Sequence, residues 1–117
     1  MKGLGGTRLR VRIYLGEKDK HGKRPLYREI LELLRREGAA GATVQRGISG
    51  FGATSRIHGD HLLRLSQDLP VIVEFVDDRE TVDRVLPLIA ERIDGGLVTC
   101  DEVKVLHYAA DSRQKEE

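Results

Sequence analysis

His58, Asp60 and His61 fall within one short polar stretch, and if that stretch were helical both imidazoles would reach a single metal ion. The same two histidines serve equally well as solvated or hydrogen-bonded loop residues. A structural zinc site also wants four protein ligands, while His21, Cys100 and His107 lie on separate segments. The run Arg46-Gly47-Ile48-Ser49-Gly50-Phe51-Gly52, with Arg56 beyond it, suits a different task. Glycine amides approach an anion closely and arginine supplies charge, so the run reads either as an anion-cradling loop base or as turn chemistry at a strand end. No Gly-Lys-Ser or Gly-Lys-Thr is present, which excludes a P-loop.

Glu74 stands among Val71, Val73, Phe75 and Val76, where an ionised carboxylate needs a partner, either a ligand or a salt bridge between subunits. Arg8, Arg10 and Arg12 share one strand face; they meet an acidic ligand or partner, or else carboxylates on the neighbouring strand. Cys100 has no histidine and carboxylate near it in sequence, so it reads as a small core residue rather than a nucleophile. No acid/base pair stands out, and an enzyme is not expected.

The elements that must position these groups follow from periodicity. Leu9, Val11, Ile13 and Leu15 alternate with arginines and Tyr14, which predicts a half-buried strand. A charged segment from Glu17 to Arg24, solvated and turn-like, leads to Pro25 at a first helical position. Leu26, Ile30, Leu33 and Leu34 form that helix's apolar stripe, and Gly38 caps it. A second strand is expected over about 42–48, and then a long loop, roughly 49–62, of a length that is usually functional. The third strand is expected over 69–76; a helix capped by Asp77 or Asp78 follows, Glu80 completing a capping box if the cap is Asp77, with Val82, Leu86, Ile89 and Ile93 on one side, and Pro87 should kink or restart it. Asp94-Gly95-Gly96 closes that helix, and a last strand over 97–108 is expected to bulge or turn near Asp101-Glu102.

Strand, helix, strand, strand, helix, strand is the ferredoxin-like βαββαβ order of an α+β domain: a four-stranded antiparallel sheet with two helices on one face. Ile72 and Val76 lie opposite Val71, Val73 and Phe75, so both faces of the third strand are apolar. A second copy of the chain is the simplest cover, and a homo-oligomer is expected.

The 117 residues fit a single domain, with its core at about 8–108 and a charged tail at 111–117. Twenty basic and 19 acidic residues leave no broad footprint for nucleic acid. No apolar run approaches the length of a membrane span, no signal peptide is evident, and the single cysteine fits a reducing, cytoplasmic setting. Five aromatics leave little for base stacking.

Ala40-Gly41-Ala42-Thr43-Val44 leading through Gly50-Phe51-Gly52 into a long loop, together with Val73-Glu74-Phe75-Val76-Asp77-Asp78, resembles the PII signalling proteins. More closely, the span from about Arg8 to Tyr108 resembles the PII-like branch catalogued as domain of unknown function 190 (DUF190). The runs that carry this are Arg24-Pro25-Leu26-Tyr27, Arg46 to Gly52, Arg56-Ile57-His58, Leu65-Ser66-Gln67-Asp68-Leu69-Pro70 and Gly95-Gly96-Leu97-Val98-Thr99.

The resemblance implies a homotrimer with inward-facing sheets and small ligands in intersubunit clefts, which in PII proteins are adenine nucleotides. It implies further that the loop after the second strand signals to a membrane transporter, enzyme or ion channel. Carried over, Thr43 lies near the base, Glu74 lines the same cleft, and Gly50 and Gly52 stand at the loop base near the phosphates, with Gly47 and Ser49 in the same run. Gly95 and Gly96 occupy the turn that in PII proteins carries a phosphate-gripping lysine, absent here, and His107 sits where one PII arginine would be. Arg46 and Arg56 replace part of that charge. The departures point to a ligand less anionic than ATP, such as a monophosphate or cyclic nucleotide, or to none. A distantly similar trimeric fold, that of divalent-cation tolerance proteins, keeps a metal role for His58 and His61 as the alternative, beside a pure protein-interaction module.

Overall fold

A computed structural model describes residues 5–51 and 68–109. Its elements run in the order β1 (Gly6–Gly16), β2 (Lys20–His21), β3 (Arg24–Pro25), α1 (Leu26–Arg36), β4 (Thr43–Arg46), β5 (Pro70–Asp77), α2 (Arg79–Ala90) and β6 (Leu97–Val105). Side chains two apart share a face of a strand, so β1 buries Leu9, Val11, Ile13 and Leu15 and turns Arg8, Arg10, Arg12 and Tyr14 to the other side. It pairs antiparallel with β5 from Leu9↔Asp77 to Gly16↔Pro70, and along its other edge with β6 from Gly6↔Val105 to Tyr14↔Leu97. With β4 added outside β5, the sheet order is β4-β5-β1-β6, the expected ferredoxin-like topology.

Helices α1 and α2 pack on the apolar face of β1 and β5, burying Leu26, Ile30, Leu33 and Leu34 from one and Val82, Val85 and Ile89 from the other against Val73 and Phe75. Gly38 ends α1 at φ +82, and the two bonds Gly38 N–H to Arg35 O and Ala39 N–H to Leu34 O close a Schellman motif. Among the described residues no helix is long and apolar enough to cross a membrane.

Several local features differ from the sequence reading. The segment expected to be only turn-like contains the hairpin β2–β3, and Pro25 sits in β3 as the residue before the helix, its ψ of 131° extended. Of the two cap candidates it is Asp78 that caps α2, accepting from Thr81 N–H at 2.8 Å. Asp77 is instead fully buried, accepting from Ala40 N–H and Asp78 N–H, each at 2.9 Å. Helix α2 runs through Pro87 without restarting, because the missing amide falls in the last turn and Val85 and Ile89 are buried on either side of it. Strand β6 has no bulge at Asp101-Glu102; its register with β1 is unbroken, and Asp101 stands opposite Arg10, which grips it. Cys100 is exposed rather than part of the core, since β6 is an edge strand beyond the helix cover.

Asp77 ties the turn after α1 to the turn before α2, and its loss would leave two half-buried amides without their acceptor. Replacing Asp77 with Ala is expected to lower the unfolding free energy by about 2–3 kcal/mol in urea denaturation. An unchanged midpoint would show that water satisfies both amides.

Candidate functional site

The face of the sheet away from the helices carries Thr43 on β4, Glu74 on β5, Arg10 and Arg12 on β1 and Asp101 on β6, all in register. Thr43 lies directly across from Glu74, and Glu74 across from Arg12. Long cationic side chains facing carboxylates on neighbouring strands pair with them. Arg12 Nε donates to Glu74 Oε1 at 2.7 Å, and Arg10 forks onto Asp101 with Nε to Oδ1 at 3.1 Å and Nη2 to Oδ2 at 2.6 Å. Glu74 therefore has an intramolecular partner, and the carboxylates on the strands flanking β1 meet two of its three arginines. The hydrogen bond from Arg10 holds the Asp101 carboxyl below the usual carboxylate range, and Asp101 in turn raises Arg10. Arg12 is raised chiefly by its bond to Glu74.

A cleft of about 580 Å³ opens over this face, within the range of small-molecule sites. Residues 40–43 form one wall and 103–108 the other, with Phe75 and Val76 between them and Arg10, Glu74, Lys104 and His107 also lining it. The Tyr108 hydroxyl donates to the Ala40 carbonyl oxygen at 3.4 Å, so the two walls touch. Asp77 stiffens the first wall from behind through Ala40. Lys104 and His107 have no carboxylate partner among the described residues.

The structure gathers some of the sequence candidates and separates others. Thr43 and Glu74 line the cleft together, with His107 beside them. Arg46 is three residues further along β4, roughly 10 Å away by strand rise, where it pairs with Glu17. Gly47 donates its amide to Pro70 O at 2.7 Å, and a Cβ on Gly47 would come within 2.8 Å of the Pro70 ring. Gly50 also lies against Pro70, and Ser49 is exposed. Gly95 lines a separate hollow of about 180 Å³ with Asp19, Lys20, Leu26 and Asp94. Gly96, at φ +138, is pressed against the Tyr14 carbonyl, four residues along β1 from Arg10. Within one chain, then, Gly95 and Gly96 stand apart from Thr43 and Glu74. Gly52, Arg56, His58 and His61 lie outside the described residues, and among the described residues no cluster of three or more potential metal ligands forms.

Sequence reasoning missed the cleft roles of Arg10, Lys104 and Tyr108. Alternation placed Arg10 on the correct face, but nothing in the chain announces that the segment after β6 turns back toward residue 40.

The family model DUF190, described as an uncharacterized ACR, matches residues 8–105. A UPF0166 protein of Methanocaldococcus jannaschii is 43% identical over 96 residues, covering 81% of this chain and 88% of its own length. One from Aquifex aeolicus is 37% identical over 100 residues, covering 83% and 91%. Among solved structures, a Thermus thermophilus protein assigned as PII-like signaling superposes with a TM-score of 0.60 at 18% identity, over 86% of this chain and 90% of that one. The nitrogen regulatory PII-like protein CPII of Thiomonas intermedia, bound to ADP, AMP and bicarbonate, superposes with a TM-score of 0.61 at 17% identity, over 85% and 94%. The fold is that of the PII-like proteins.

The Asp101 carboxyl, depressed in the folded chain, contributes stability that is present above its unfolded pKa, about 3.9, and is lost as pH falls through the lower folded value. Wild type and Asp101→Asn should therefore differ in melting temperature near neutral pH, the difference shrinking as pH falls below the usual carboxylate range and through the lower folded value. A constant difference across that range would contradict the pairing.

Proposed function

The chain belongs to the DUF190 family, and from that premise we propose that it is a non-enzymatic PII-like regulatory protein whose cleft takes a small anionic effector of low charge, an adenine nucleotide such as AMP. The observation that carries this reading is the cleft itself, which joins the Thr43 hydroxyl to Lys104 and His107, two basic side chains with no carboxylate partner among the described residues. Charge decides against ATP as the preferred form. Arg10 and Arg12 each keep a carboxylate neighbour, so between them they add little net positive charge, which suits a monophosphate rather than a triphosphate. The ADP and AMP bound by the Thiomonas protein support the ligand class.

In this reading the working unit is a cytoplasmic homotrimer with its sheets turned inward. Half-buried Tyr14, Ile72 and Val76 and the exposed Leu97 on the face away from the helices support a cover made by further copies. The segment read from the sequence as a signalling loop, about 49–62, follows the strand that carries Thr43; in this reading an effector changes the affinity for a partner, a membrane transporter or ion channel, only as far as it binds the signalling state more tightly.

Calorimetric titration with AMP, cyclic AMP, ADP and ATP, alongside light scattering, tests this directly. The expected result is a trimer that binds AMP more tightly than ATP, with Thr43→Val weakening AMP by up to roughly tenfold through one lost hydrogen bond. Absence of binding to all four nucleotides would overturn the effector reading, ATP as the tightest ligand would overturn the charge argument, and a monomer would overturn the assembly.

A further inference from the structure

Arg10 belongs to two neighbourhoods at once. It lines the cleft, yet its guanidinium is forked onto Asp101, which does not line the cleft. A guanidinium fork satisfies one oxyanion bidentately at a time. We propose that Asp101 is a built-in competitor: Arg10 is the anion-binding residue of the cleft, and a phosphate monoester takes it by displacing the Asp101 carboxylate. This rests on the reading of the cleft as an anion site.

Four observations favour the exchange. Arg12 is poorly placed for the task, because it is bound to Glu74, and an incoming anion would meet the Glu74 carboxylate that itself lines the cleft. Within one chain the Arg10 and Asp101 side chains are 30% and 49% exposed, so no packing inside the chain locks the fork in place. Asp101 stands on the edge strand β6, with no further strand of the described chain beyond it. Lys104 and His107 line the same cleft and can share the arriving charge.

Competition also gives selectivity. A carboxylate or bicarbonate exchanges one monoanion for another and gains little over an intramolecular rival held at high effective concentration. A phosphate monoester carries close to two charges at neutral pH and outcompetes it. Asp101 thereby raises the threshold for weak anions and sets the effector concentration at which the cleft fills.

The test compares wild type, Asp101→Asn and Arg10→Gln in titrations with AMP and with uncharged adenosine, each with a melting curve on the same sample. If Arg10 is held by Asp101 most of the time, removing the competitor should tighten AMP by about tenfold and leave adenosine unchanged. Arg10→Gln should erase the preference for AMP over adenosine. Equal AMP affinity in wild type and folded Asp101→Asn overturns the exchange while leaving the cleft reading intact, as does an equal gain for AMP and adenosine. AMP binding by none of the three overturns both. If Asp101→Asn does not fold, the Arg10 Nε–H resonance of wild type should shift on AMP addition, and an unmoved resonance in the AMP-saturated protein sinks the proposal.

Discussion

Everything in this chain is hung on one constraint: β1 is hydrogen-bonded along both edges, so its strict alternation decides what every neighbour must present. An eleven-residue strand with partners on each side cannot slip by one residue without exchanging Val11 and Ile13 for Arg10 and Arg12 in the core. The register is thereby locked, and with it the positions of Glu74 on one side and Asp101 on the other. The helices follow from the same rule. Their apolar stripes have one face on which to bury, and the Schellman turn at Gly38 and the Asp78 cap stop them at the lengths that cover β1 and β5.

Two kinds of chemistry are separated by that sheet. The helix side is a dry core of aliphatic side chains around Phe75, interrupted by Asp77, whose carboxylate is tolerated because two backbone amides meet it. The other side holds the Asp101–Arg10 and Arg12–Glu74 pairs beside the cleft. Asp77 connects them mechanically, since the turn it pins through Ala40 is a wall of the cleft. A residue buried for stability on one face thus shapes the binding surface on the other.

Exposure along β6 has a physical consequence of its own. As an edge strand outside the helix cover, it presents Leu97 and Val98, with Cys100, to solvent, and the segment beyond it begins with Leu106 exposed. Natural sheets seldom leave a long edge unmanaged. Asp101, Glu102 and Lys104 place charges along this one, which discourages indiscriminate pairing while leaving apolar positions available to a specific neighbour.

By itself the sequence determined the type and order of the four sheet strands and the two helices and the face each apolar stripe buries, because period-two and period-3.6 patterns are local and β1 and α1 carry them without interruption; the short β2–β3 hairpin carries no such pattern. The resemblance to PII-like proteins was likewise legible in ordered motifs. Local propensity could not distinguish Asp77 from Asp78 as the cap, since either satisfies the pattern and only the proximity of Ala40 assigns Asp77 elsewhere. Nor could it show Cys100 exposed, because burial depends on where the helices end laterally over the sheet. The partners of Glu74 and Arg10 and the cleft between residues 40–43 and 103–108 were decided only by the tertiary structure: strand register and the return of the segment after β6 bring together groups more than sixty residues apart, and no local pattern encodes a contact across that separation.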